Sequence, residues 1–163
     1  MRWRWSNVPI PELHLAALGA AAMLHWLVPL RLPLPGWLRF GVGGPMVAGG
    51  MGLAGWAIAS AGDADVERAS ELVTRGAFAV SRNPMYLGWS AGVVGTAVLC
   101  RSAWLAATAA VAIRMLHREV RAEEVRLAER FGVEYSAYRT RVPRYLVRAA
   151  DRLGSWQGSR QGS

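Results

Sequence analysis

Two short stretches of this chain carry side chains able to hold a charged small molecule. The first is Arg82-Asn83-Pro84-Met85-Tyr86-Leu87-Gly88, which joins a polar loop directly to an apolar run. Proline is accepted in the first helical turn, where its missing amide would have had no partner, so Pro84 marks a helix start. The amides left free at such a start favour an anion. Arg82 adds a permanent charge able to grip a carboxylate through paired hydrogen bonds, and Tyr86, one turn on, offers an aromatic face with a hydroxyl.

The second stretch contains the acidic pair Glu123-Glu124. His117, Val120, Glu124, Leu127, Ala128 and Phe131 recur at three- and four-residue spacings, which puts them on one face of a helix. Glu124 therefore points with apolar residues. A carboxylate withdrawn from water is costly unless something binds it, so Glu124 is either a ligand group or the partner of a nearby arginine such as Arg82 or Arg121. Glu123 lies on the flank, where solvation is ordinary. Leu72-Val73-Thr74-Arg75-Gly76-Ala77-Phe78 precedes these stretches; Phe131-Gly132-Val133-Glu134-Tyr135, Tyr138 and Val142-Pro143-Arg144 follow them.

The elements that must position these groups are apolar helices. A membrane span needs about 20 mostly apolar residues, and runs of that kind occur near 13–30, 37–61, 85–99 and 103–116. They predict an all-α integral membrane bundle of four helices. The third and fourth are short for a full span and are expected to tilt or to extend into polar flanks. No glycine or proline breaks the chain after Leu116, so the fourth helix is expected to leave the membrane and reach about Arg130, ended by Gly132, with a cytoplasmic cap to residue 146. Residues 1–154 read as one domain, and the Gly/Ser/Gln-rich 155–163 as a disordered tail. The first run reads as a retained helix, because Pro9, Pro11 and Glu12 precede it and no clean cleavage site follows.

Gly41, Gly43, Gly44, Gly49, Gly50, Gly52 and Gly55 crowd the second run. A phosphate-cradling loop needs a strand before it and a helix start after it, and neither is suggested. Close helix approach is the expected use, for Gly88 and Gly92 as well.

Composition agrees with a membrane protein: 53% of the 163 residues are hydrophobic and the mean hydropathy is positive. All 19 basic residues are arginine, and the net charge is +8. The arginines crowd the ends of apolar runs and the C-terminal third, which suits an anionic membrane leaflet better than nucleic acid. Arg2 and Arg4, then Arg68, Arg75 and Arg82, then the tail mark the cytoplasmic side, against Arg31, Arg39 and Arg101 opposite, so both termini are expected inside. Lone Cys100 forms no internal disulfide or cysteine cluster and is expected to be a small core residue. His14 and His25, without carboxylate or cysteine support, are expected to serve helix packing rather than a metal.

From Leu72 to Leu146 the order of these segments resembles the isoprenylcysteine carboxyl methyltransferase and phospholipid methyltransferase family of integral membrane enzymes. The resemblance implies a compact bundle that binds S-adenosylmethionine on its cytoplasmic side under a C-terminal segment, without a soluble nucleotide-binding domain. It implies that Arg82, Asn83, Pro84, Tyr86, Leu87 and Gly88 form the cofactor-binding turn and that His117, Arg121, Glu123 and Glu124 lie on the helix closing over it. Glu124 would then hold the cofactor's hydroxyls or amine, Arg82 its carboxylate, and Arg121 an acidic acceptor, which makes Arg121 and Glu124 the catalytic candidates. Val142-Pro143-Arg144 would lie near the lid. The acceptor implied is lipophilic, an isoprenoid or prenylcysteine-like carboxylate or a lipid, entering from the bilayer. The chain departs from the family at Asn83, where histidine is commonest, and at His117, where carboxyl methyltransferases often carry arginine. Arginine-only basicity and alanine-rich helices suggest a GC-rich bacterial genome and its inner membrane, where a small lipid-like acceptor is preferred over a protein terminus.

Two other classes compete. Sterol-reductase-like proteins share an Arg-x-Pro-x-Tyr-x-Gly turn and use NADPH, but typically follow the glycine with glutamate, whereas Trp89 follows Gly88 here. A four-helix transporter or scaffold is the non-enzymatic option; ion coupling usually needs an acidic residue within a span, and the four runs contain none.

Overall fold

A computed structural model describes residues 12–62 and 71–146. The expected tail after 154, and Arg2, Arg4 and Arg68, lie outside the described residues. Four helices run up and down: α1 (Glu12–Leu27), α2 (Gly36–Ala61), α3 (Pro84–Cys100) and α4 (Ala103–Arg141). A single 3-10 turn, Gly76–Ala79, precedes α3. The described residues contain no strand, only one isolated bridge between Arg31 and Ser102. α1 stops short of the expected Leu30 because Pro29 cannot continue the helical hydrogen bonding. α2 is long and apolar enough to cross a membrane, while α1 and α3 are apolar but shorter.

α3 is the central element, with α2 on one side and α4 and α1 on the other. Its contact with α2 is a seam of bare backbone. A Cβ built on Gly50 would come within 2.6 Å of the Gly88 carbonyl oxygen, and one on Gly88 within 2.6 Å of the Gly50 oxygen. Gly43 and Gly95 repeat the arrangement two turns away, at 3.1 and 2.8 Å. Close approach is thus the use of Gly43 and Gly50, but Gly41, Gly44, Gly49, Gly52 and Gly55 face open space. One face of a helix can meet a neighbour; the other five glycines lie off it. Within α2 a π-helical turn over Arg39–Gly43 shifts the register just before the seam. Ala21, Val93, Ala97, Leu105 and Ala109 form the α1/α3/α4 core.

The end of the bundle holding the α1–α2 and α3–α4 connections is stitched shut. Leu32 N–H donates to the Arg101 carbonyl at 2.7 Å and Ala103 N–H to that of Leu30 at 3.1 Å. Trp104 Nε1 donates to Val28 O at 2.7 Å, Arg101 Nε to Leu32 O at 2.8 Å, and Arg39 sends Nε and Nη2 to Leu99 O at 3.1 and 3.0 Å. Arg101 itself sits at φ 54, a left-handed conformation that ends α3 where glycine is usual.

The outer surface is apolar. Trp26, Trp37 and Phe40 are exposed near the stitched end, and Leu15, Met23, Met51, Trp56 and Val111 along the helices. So many large apolar groups facing outward, with tryptophans near one end, fit lipid rather than water. Cys100, expected in the core, is exposed, because it falls at the outer edge of the last turn of α3. His14 is buried and reaches Ser90 Oγ at 3.2 Å, the packing use expected of it, whereas the buried Nδ1 of His25 has no partner.

Gly132 does not end the helical path. It takes φ 49 and ψ −115, breaks α4 sharply, and helical turns resume through Arg141. Tyr135, Tyr138 and Val142 then recur on one face and pack on Leu72, Leu127, Ala128 and Phe131, so the expected cap is itself helical.

Candidate functional site

At the end of the bundle opposite the stitched loops, α4 rises past the start of α3 and its last turns fold back over it. Pro84 is buried in the first turn of α3, as its position in the sequence requires. Asn83 precedes it with an extended φ of −132 and makes no side-chain cap; its Nδ2 donates instead to Arg144 O at 3.2 Å. Ser81 Oγ donates to the same carbonyl at 3.2 Å, and Arg82 N–H donates to Pro143 O at 2.9 Å. The 142–144 segment is therefore strapped across the turn that opens α3.

Glu124 stands at the centre of the strap. It is only 8% exposed, as the helical spacing predicted. Arg82 Nη1 meets its Oε1 at 2.9 Å; Arg144 Nε and Nη2 take Oε1 and Oε2 at 2.9 and 2.6 Å in a two-pronged grip. Glu124 is thus ion-paired with Arg82 and, in place of Arg121, with Arg144. Its hydrogen bonds to Glu124 raise Arg144 further above its already high range. Arg82 Nη1 also donates to the Tyr135 hydroxyl at 3.2 Å, and Tyr138 donates to Phe78 O at 2.7 Å. Burial first, and Glu124 second, push Tyr135 upward, and burial pushes Tyr138 upward, so both stay neutral phenols.

Beside this cluster is a pocket whose empty space, open mouth included, is about 560 Å³. Arg82, Asn83, Glu123, Glu124, Glu71 and Tyr135 supply its polar wall, and Leu72, Val73, Phe78, Val120 and Leu127 its apolar wall. The Nε of Arg82 is buried there without a hydrogen-bond partner. Burial raises the Glu123 carboxyl above its ordinary range, opposed by the charge of Arg126. Glu123, expected on a solvated flank, is thus a half-buried pocket residue that shares its lining with Glu71, Leu72, Val73 and Phe78 of the segment before α3.

Of the cofactor-binding and catalytic candidates named from the sequence, Arg82, Asn83, Glu123 and Glu124 line the pocket. The others do not. Gly88 serves the α2 seam, Leu87 continues the first turn of α3 through its bond to Asn83 O, and Tyr86 is half-buried outside the lining. His117 Nδ1 meets the Tyr145 hydroxyl at 2.8 Å and so anchors the strap. Arg121 is exposed and outside the pocket lining. Sequence reasoning missed Glu71, Tyr135 and the grip of Arg144; the spacing of Tyr135, Tyr138 and Val142 after Gly132 was the signal for a helix turning back.

Among the described residues no group of three or more His, Cys, Asp or Glu is placed to hold a metal ion. Fold and site together define a helical membrane-type protein with a capped, charged pocket at one end. Residues 38–134 match the sequence model of the family described as Phospholipid methyltransferase, and the chain belongs to that family. Among its relatives is the human Protein-S-isoprenylcysteine O-methyltransferase, 38% identical over 73 residues, which are 44% of this chain and 26% of that protein. Another is the nickel-cobalt-cadmium resistance protein NccN of Alcaligenes xylosoxydans xylosoxydans, 32% identical over 81 residues, 50% of this chain and 38% of that protein. The solved structure of a eukaryotic intramembrane Ras methyltransferase, isoprenylcysteine carboxyl methyltransferase, superimposes with a TM-score of 0.56 at 22% identity, over 80% of this chain and 49% of that one. The chain thus spans half or less of the length of each of these relatives, and the structural likeness is one of fold.

Proposed function

We propose that this chain is an integral membrane methyltransferase that takes S-adenosylmethionine in the Arg82–Glu123 pocket and methylates a lipophilic acceptor reaching it from the bilayer. One observation carries the reading. Arg82 lines the pocket and is held by Glu124 and Tyr135 through a single nitrogen, and its buried Nε has no partner. A buried cationic donor with spare capacity suits a ligand carboxylate. Glu123 presents an acid on the same wall for a ligand cation or hydroxyl, and Leu72, Val73, Phe78, Val120 and Leu127 offer apolar surface for a base. The donor set therefore fits an amino-acid-bearing nucleoside.

Glu124 has both oxygens taken by arginines, so its part is to fix Arg82 and the strap rather than to meet the ligand. Asn83 shares that work through Arg144 O. When bound, the cofactor supplies a methyl group on a sulfonium with a neutral thioether as leaving group, which leaves the protein to align and to exclude water. The strap, backed by His117 and Tyr145, supplies the exclusion. Membership of a phospholipid methyltransferase family and the apolar outer surface support a lipid or isoprenoid acceptor. Arginine placement supports a bacterial inner-membrane location with the pocket cytoplasmic.

Equilibrium binding of S-adenosylmethionine and S-adenosylhomocysteine to detergent-purified protein, with NADPH alongside, tests the proposal. Micromolar binding of the adenosyl compounds alone, lost in Arg82→Ala, is the expected result; binding of NADPH alone would assign the pocket to a reductase.

A further inference from the structure

None of the arginines on α4 lines the pocket, and three of them stand close together on its outer surface. Arg114, Arg118 and Arg121 are all exposed and make no hydrogen bond or ion pair with any described residue. Their spacing of four and three residues sets them in one row along the helix. The row continues a stripe of exposed apolar positions, Ala107, Ala110 and Val111, and runs into exposed Val125. No acidic residue lies within the row: Glu119 belongs to another face, and Glu129 comes one turn after Val125.

Depth decides what such a row can meet. Counted from Ser102 at the stitched end, a rise of 1.5 Å per residue puts Arg114 at about 18 Å and Arg121 at about 28 Å along α4. The hydrocarbon layer is about 30 Å thick, so the row climbs from within it to the headgroup boundary at the pocket end. Arginines at that depth ordinarily face the bundle interior or pair with an acid, and these do neither. Like charges one turn apart also repel along a helix. A flexible arginine side chain near the headgroup boundary can bring its charge to the interface, where a negative group offsets both penalties.

We propose that Arg114, Arg118 and Arg121 form a lateral binding row for the phosphate headgroups of anionic glycerophospholipids in the leaflet on the pocket side. The inference rests on the membrane reading of the chain. A guanidinium matches phosphate oxygens in pairs, and the adjoining Ala107, Ala110 and Val111 surface receives the acyl chain. The row lies outside the pocket and holds annular lipid rather than the methyl acceptor.

The test is native mass spectrometry of the whole chain in neutral detergent, titrated with phosphatidylglycerol or phosphatidylcholine. The comparison is wild type, the Arg114→Gln/Arg118→Gln pair, and Arg139→Gln/Arg141→Gln as a control of equal charge off the row. Wild type is expected to prefer phosphatidylglycerol, the row variant to lose about tenfold of that preference, and the control to keep it. Equal losses in both variants would reduce the effect to net charge and overturn the site, as would a wild type without preference. A wild-type dimer that only the row variant dissolves would assign the row to a second copy instead. Carbonate washing of membranes separates the two levels: release of the wild-type chain would overturn the membrane reading itself, and the row with it.

Discussion

Arginine closes both ends of this bundle, but with different partners. At the stitched end Arg39 and Arg101 donate to backbone carbonyls, those of Leu99 and Leu32. Carbonyls at a helix end have no partner within the helix, so Arg39 completes a local account at the end of α3. At the pocket end Arg82 and Arg144 donate to one carboxylate, and there a surplus remains: the Nε of Arg82 and the carboxyl of Glu123, side by side on a cavity wall. The difference lies in what the arginines meet: backbone carbonyls at the stitched end, and at the pocket end a carboxylate beside a cavity.

The contrast breaks most visibly at Glu124. Glu124→Gln leaves two arginines facing a neutral amide, one of them buried, and is expected to destabilise the protein by about 3 kcal/mol and to abolish measurable binding of S-adenosylhomocysteine, read by thermal unfolding and by calorimetry. Arg39→Ala at the other end is expected to lower stability by about 1–2 kcal/mol while the dissociation constant stays unchanged. A loss of affinity there would mean that the two ends are not independent. Tyr135→Phe removes an acceptor from Arg82 but keeps the ring, with an expected cost of about 1 kcal/mol and a modest rise in the dissociation constant.

The smallest effect sharpens the role of Glu123. Because burial raises its carboxyl in the empty pocket, the folded chain holds that proton more tightly than the unfolded chain does. The stability this contributes is present at low pH and is lost as pH rises through the raised value. A cationic ligand favours the ionised form, so its affinity is expected to climb over the same window and then level off. Glu123→Gln should flatten the climb, which a calorimetric titration at several pH values measures directly.

The number of helices and their order followed from the apolar runs, because one stretch of chain suffices to show a helix that must be apolar along its length. Burial of Glu124 followed from periodicity for the same reason. What escaped was pairing across distance. Arg121 stands three residues from Glu124 yet is exposed and takes no part in its ion pairs, while Arg144 reaches Glu124 only because Gly132, at φ 49, turns the chain back. A sequence shows which residues share a helix face, but not which distant segment will cover it. Gly88 illustrates the same gap: a glycine in a candidate binding turn proves to be a contact surface for Gly50 and Ala54.

The strap also sets an order of assembly. Ser81 and Asn83 wait for a carbonyl 63 and 61 residues further along, whereas the α2–α3 seam needs nothing beyond Leu99. As the chain emerges from the ribosome, α2 and α3 are free to pair first, and Arg82 remains without its carboxylate until α4 has been inserted. The pocket's lining is complete at Tyr135, but Glu124 gains its second arginine only when Arg144 is synthesised, so a ribosome that stops before that residue releases a bundle nearly complete in its helices and without its strap.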